Sequence, residues 1–134
     1  MRFLPNARIV VLDGDGRRRA LICAELVELG LTQVVPVGSA KEAQQLAAKQ
    51  PFDLCVVDPR ALGPDSRTKV FPNPFHGDGT LAVLLAADTS VAALEAAAAA
   101  GYRAVIGLPV VPRMLYRRMG SVLQKARRTA RRAS

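Results

Sequence analysis

Asp58 closes a short apolar stretch, Leu54 to Val57, that Pro51 precedes and Pro59 follows. Two of the four residues are β-branched, and such a run reads as a strand covered on both faces. Pro59 has no N–H to give to a ladder, so pairing is expected to stop at Asp58. A carboxylate at the C-terminal end of a central parallel strand stands where open α/β sheets gather ligands and chemistry. A loop aspartate that caps a turn is the other reading of the same residue. Two further acids, Asp13 and Asp15, lie in the turn Asp13-Gly14-Asp15-Gly16, directly after the apolar run Arg8 to Leu12. If the three carboxylates converge they suit Mg²⁺, a hard cation that a few carboxylates and several waters can hold. The same acids could instead cap the helix that follows the turn.

The elements that would position these acids alternate along the chain. Arg8 to Leu12 reads as a buried strand, and Arg17 to Leu29 as a helix with Ile22, Leu26 and Leu29 at helical spacing and Gly30 as its left-handed cap. Val34, Val35 and Val37 suggest a second strand. Ser39 with Glu42 three residues on forms a capping box for a helix to about Lys49, which Pro51 stops. The strand ending at Asp58 is third. Leu81 to Ala86 is a fourth, and Asp88, Thr89 or Ser90 can cap an Ala-rich helix from Val91 to Ala100 that Gly101 closes. Ala104 to Leu108 makes a fifth strand. Pro112 opens a last helix with an apolar stripe of Val111, Leu115, Met119, Val122 and Leu123. Strands alternating with helices imply a doubly wound, five-stranded parallel sheet. The connection from Pro59 to Thr80 breaks the rhythm: its prolines and glycines leave room for only a helical turn or two, between Pro64 and Val70, so a full helix is not expected there.

The 134 residues suffice for one domain with a single core, and half of them are hydrophobic. No apolar run approaches membrane-spanning length, and Met1 to Pro5 is too short for a signal peptide, so a cytoplasmic protein without membrane insertion is expected. Cys23 and Cys55 read as small core residues rather than a disulfide or metal pair. The net charge of +8 is lopsided: residues 1–101 carry ten basic and eleven acidic groups, and residues 102–134 carry nine basic and none acidic. A domain over residues 1–124 with a basic tail over 125–134 is the expected organisation. That tail could favour nucleic acid, an anionic surface or an acidic partner, or be a solvated helix end whose cations suit the dipole. With no aromatic in the last helix beyond Tyr116, stacking on single strands is not expected, and nucleic acid ranks behind protein as a partner.

The order and spacing of these pieces resemble the receiver domains of two-component response regulators over nearly the whole chain. The matching residues are Asp13-Gly14-Asp15 after the first strand, Arg19 six residues beyond Asp13, Asp58 ending the third strand, Ala86-Ala87 ending the fourth, and Leu108-Pro109 ending the fifth. The resemblance implies a flavodoxin-like sheet of order 2-1-3-4-5, with Asp58 as phosphoacceptor and Asp13, Asp15 and Asp58 as Mg²⁺ ligands. It implies a role in phosphorelay signal transduction, with a histidine kinase or another signalling protein as partner. The chain departs from the family's pattern at Gly14, where a second adjacent acid is usual, at Ala86, where a Thr or Ser is, at Leu108, where a Lys is, and at Val105, where an aromatic often swings. The third helix of the family is largely replaced by the Pro-rich connection.

Phosphoryl transfer to a carboxylate needs a cation to offset crowded negative charge and donors to meet the moving oxygens. A phosphoryl group on Asp58 would lack a charge-assisted partner at 108 and a hydroxyl at 86, and so have little means of shifting a conformational equilibrium. The expectation is a pseudo-receiver, weakly phosphorylated or not at all, with at most weak Mg²⁺ binding. No nucleophile–base pair suggests an enzyme, and His76 reads as a surface-loop residue rather than a base. The Gly14-Asp15-Gly16 turn lacks the third glycine of a dinucleotide fingerprint, where Arg19 stands. The face formed by the Val91–Ala100 helix, the fifth strand and the last helix, with Arg113, Arg117 and Arg118, is the expected interaction surface, including for a two-fold homodimer in which Glu95 of one copy meets those arginines. A nucleic-acid or anionic-surface binder acting through the basic tail is the alternative function.

Overall fold

Three apolar strands, each buried on both faces, explain why this sequence folds into three layers. In the computed structural model, which describes residues 4–58, 73–75 and 79–133, a 3₁₀ turn (Leu4–Asn6) leads into β1 (Arg8–Leu12), α1 (Gly16–Glu28), β2 (Gln33–Val37), α2 (Ala40–Lys49) and β3 (Leu54–Val57). β4 (Leu81–Ala86), α3 (Val91–Ala99), β5 (Ala104–Gly107) and α4 (Pro112–Ala133) follow. The strands form one parallel sheet of order β2-β1-β3-β4-β5, with Ile9 opposite both Val34 and Leu54. On one face, Ile9 and Val11, Leu54 and Val56, and Val83 and Leu85 pack with Ile22 and Leu26 of α1 and Leu115 and Met119 of α4. On the other, Val10 and Leu12, Cys55 and Val57, and Ala82 and Leu84 pack with Ala43 of α2 and Ala97 of α3. Because successive side chains point to opposite faces, a strand covered on both sides must be apolar throughout, and the central strands are.

The helix ends follow their local chemistry. Asp15, Ser39 and Ser90 are the N-caps of α1, α2 and α3, each accepting backbone N–H groups of the first turn. The capping box of α2 is half formed: the Ser39 hydroxyl accepts from Glu42 N–H, while Glu42 reaches back to Gly38 N–H (3.4 Å) rather than to that of Ser39. α1 and α3 close alike. Gly30 (φ 116°) donates to Val27 O and Leu31 to Leu26 O; Gly101 (φ 93°) donates to Ala98 O and Tyr102 to Ala97 O. That pattern needs a left-handed residue just past the cap, which glycine adopts without strain.

Several expectations change in detail. Val111 is exposed, not part of the apolar stripe, because its carbonyl accepts the first helical bond, from Leu115 N–H, and its side chain precedes the face that packs. α4 runs unbroken past residue 124 to Ala133, so the basic tail expected over 125–134 continues the helix as far as it is described. The two cysteines are not joined in a disulfide and lie on opposite faces of the sheet, Cys23 against one cluster and Cys55 within the other. The expected loss of a helix between Pro59 and Thr80, and the reading of His76, fall largely or wholly on residues 59–72 and 76–78, outside the described residues.

Candidate functional site

The sheet carries Asp13 and Asp58 one step beyond the ends of β1 and β3. Asp13 N–H donates to Val37 O (3.1 Å) and Asp58 N–H to Leu12 O (2.8 Å), so each acid prolongs a parallel ladder and is fixed by it. Both are completely buried. Buried carboxylates need donors or counter-charge, and here a guanidinium supplies both. Arg18 Nε donates to Asp13 Oδ2 at 2.6 Å and its Nη2 to Asp13 Oδ1 at 2.5 Å, a bidentate fork. The same Nη2 lies 3.1 Å from Asp58 Oδ2, and Nη1 lies 3.7 Å from Asp15 Oδ2. Every nitrogen of the Arg18 side chain thus faces a carboxylate. Hydrogen bonding to Asp13 holds the Arg18 pKa above its ordinary value; burial opposes this, and the charges of Asp13, Asp58 and Asp15 add to it.

Asp15 stands apart from its two neighbours. Its Oδ1 accepts Arg17 N–H (3.0 Å) and Arg18 N–H (3.2 Å) as the cap of α1, and its side chain is half exposed. Asp13 Oδ1 accepts Asp15 N–H at 2.9 Å, which ties the turn together. Arg19 completes the local order: its Nη1 donates to Asp13 O at 2.8 Å and passes close to Gly38, where a Cβ would sit 3.0 Å from that nitrogen. The helix-cap reading of the turn acids therefore holds for Asp15.

A Mg²⁺ ion on Asp13, Asp15 and Asp58, the ligand set expected from the sequence, would have to share Asp13 and Asp58 with Arg18. Among the described residues no group of three metal-ligating side chains is disposed to hold an ion. Arg18 offsets part of the charge on Asp13 and Asp58 and takes oxygens of both, while Asp15 Oδ1 serves the helix cap.

The remaining expected positions surround this cluster. Gly14 is exposed in the turn, and Ala86 is buried at the end of β4 with its carbonyl accepting Leu108 N–H (3.0 Å). Leu108 precedes a cis peptide to Pro109 and packs against the α1–α4 cluster, so an apolar contact is made where the resemblance implies a lysine. Val105 packs, half-buried, on the opposite face. Arg113, Arg117 and Arg118 are exposed on the first turns of α4, and Val91 and Leu94 are exposed on α3.

Arg18 was not singled out by sequence reasoning, although a signal was there. Three successive arginines, Arg17 to Arg19, open a helix whose N-terminus is its positive end. Cations there are unfavourable unless carboxylates surround them. Asp13, Asp15 and Asp58 reverse the local sign, which makes the arginine run and the acidic turn one unit.

No family model and no curated protein matches the chain. Solved structures do. A proposed pilus assembly-related protein of Burkholderia pseudomallei is 24% identical with a TM-score of 0.75, covering 92% of this chain and 94% of its own. A response regulator receiver domain protein of Methanospirillum hungatei is 19% identical with a TM-score of 0.74, covering 92% and 98%. A Francisella response regulator receiver domain is 21% identical with a TM-score of 0.73, covering 90% and 99%. At these identities the likeness shows the fold: the chain has the receiver fold, a flavodoxin-like doubly wound sheet.

Proposed function

We propose that the chain is a pseudo-receiver, a signal-transduction module that keeps the receiver fold and acts by binding another protein, with phosphorylation of Asp58 weak or absent. The observation that carries this is the Arg18 guanidinium lying across Asp13 and Asp58. A carboxylate that is to attack phosphorus needs a free oxygen and a cation that can also reach the phosphoryl oxygens. Here Arg18 Nε and Nη2 are held by Asp13, Nη2 also contacts Asp58 Oδ2, and Ala86 and Leu108 bring neither a hydroxyl nor an ammonium group. A histidine kinase or another signalling protein is the proposed partner, docking on the face of α3, β5 and α4. Val91 and Leu94 of α3 are exposed for apolar contact there, and Arg117 and Arg118 are exposed on α4 against the single acid of α3, Glu95, while Arg113 lines a cleft beside Glu25 and Glu28 of α1. Its excess of cations suits an acidic partner better than the second copy expected there.

The test is incubation with a small-molecule phosphodonor and Mg²⁺, read by intact mass. No adduct, or a trace, is the expected result; a stable stoichiometric adduct on Asp58 overturns the reading. The second function, binding of nucleic acid or an anionic surface, draws support from the eight cations and no acids of α4, among them the exposed Lys125, Arg127 and Arg128. Retention on an anionic matrix that falls steeply with salt would favour it.

A further inference from the structure

We infer that the outer face of α1 is a two-fold contact between two copies of this chain. Ile22 and Leu26 bury the inner face of α1 against the sheet, whereas Leu21 (59% exposed) and Val27 (54% exposed) point outward. Ala20 and Ala24 are exposed as well, and so are Arg17 and Glu28. At 100° per residue these six positions fall within an arc of about 120°. The two alanines run along its middle, Leu21 and Val27 form its borders, and Arg17 and Glu28 stand at its two ends. An exposed helical face with four apolar positions and no polar residue between its ends is not what solvent alone requires of a surface helix.

The charges choose the occupant. Arg17 and Glu28 are eleven residues apart, three turns or about 16 Å along the axis, and have opposite signs. Neither side chain makes an ion pair or side-chain hydrogen bond among the described residues. A two-fold axis crossing α1 midway between Leu21 and Ala24 lays two copies antiparallel. Leu21 of each copy then meets Ala24 of the other, large against small, and Arg17 of each meets Glu28 of the other. The patch is complementary to itself in shape and in charge, which an isologous contact requires. The α3–β5–α4 face, with Arg117 and Arg118 against Glu95, lacks that balance of charge.

One helix per copy makes a small interface, so the dimer forms at high protein concentration, with the apolar positions supplying affinity and the two symmetry-related ion pairs setting register. The contact stands independently of the state of Asp58.

Sedimentation equilibrium over a concentration series tests the inference on the full chain. The wild type is expected to show monomer and dimer. Arg17→Glu alone and Glu28→Arg alone are each expected to raise the dissociation constant roughly ten-fold, because each reversal turns two attractions into two repulsions. The double variant Arg17→Glu/Glu28→Arg restores wild-type association, since the pairs reform with exchanged signs. Leu21→Glu abolishes the dimer, and Arg117→Glu leaves it unchanged. Circular dichroism confirms that each variant is folded. A wild-type monomer at the highest concentration, single variants that associate like the wild type, or a double variant that stays as weak as the singles would each overturn the inference.

Discussion

Arg18 and Asp58 are forty residues apart in sequence and 3.1 Å apart in the fold, and Asp13 holds the other side of the same guanidinium. Two carboxylates at the ends of neighbouring strands repel one another unless something positive lies between them. In this chain that charge is supplied by the first turn of α1.

Removing the cation therefore leaves two buried acids uncompensated. Arg18→Ala is expected to lower stability by about 3 kcal/mol, the cost of orphaning one side of a buried pair. Adding Asp58→Asn to that variant should recover part of the loss. Chemical denaturation of the three proteins checks both statements; equal stability of wild type and Arg18→Ala would show that the ion pairs are structurally idle. Millimolar Mg²⁺ is expected to raise the melting temperature of Arg18→Ala while leaving the wild type unchanged.

Restoring the usual receiver residues is expected to be insufficient while Arg18 remains. Gly14→Asp, Ala86→Thr and Leu108→Lys together should yield little adduct with a phosphodonor, and the same triple change combined with Arg18→Ala should yield more. Intact mass and adduct lifetime distinguish the two. An equal yield would mean that the arginine does not obstruct the pocket.

Tyr102 gives the fold a sensitivity to alkali. Burial first, and the nearby Cys55 second, raise its pKa above the ordinary tyrosine value of about 10. The folded state thus holds this proton more tightly than the unfolded chain. Its contribution is complete below the ordinary tyrosine pKa and is lost as pH rises above it. Stability is expected to fall on the alkaline side of that value, and the fall should be shallower in Tyr102→Phe. Denaturation midpoints across the alkaline range measure the slope.

Ending the chain after Gln124 should change stability by no more than about 0.5 kcal/mol, because among the residues whose burial is described Leu123 is the last buried one, and Lys125, Arg127 and Arg128 are exposed. The same truncation should lower retention on an anionic matrix at low salt. A large loss of stability would mean that the last turns of α4 belong to the domain.

Much of the fold was legible because its signals are local. The β-branched runs of β1 and β3, the caps Ser39 and Ser90, and the glycines at 30 and 101 each fix an element by its own chemistry. Strand order came from the resemblance, whose spacing survives where its functional residues do not. The site was half legible. Asp13 and Asp58 were placed because strand ends are readable. Arg18 was missed because a side chain that crosses from a helix to two strand ends is a tertiary fact. Val111 failed for a simpler reason: helical spacing was extended one residue beyond the first residue of the helix.

A cation joined to the chain behaves differently from one drawn out of solution. It cannot be diluted, chelated or exchanged, and its effective concentration is set by the short path from Asp13 to Arg18 rather than by the surrounding medium. On the reading proposed above, the pocket keeps its countercharge whatever the divalent ion level. Whatever draws Arg18 aside must offset the ion pairs broken with Asp13 and Asp58, and by linkage the same event uncovers Asp58. The proposed function then places the input at an outer surface.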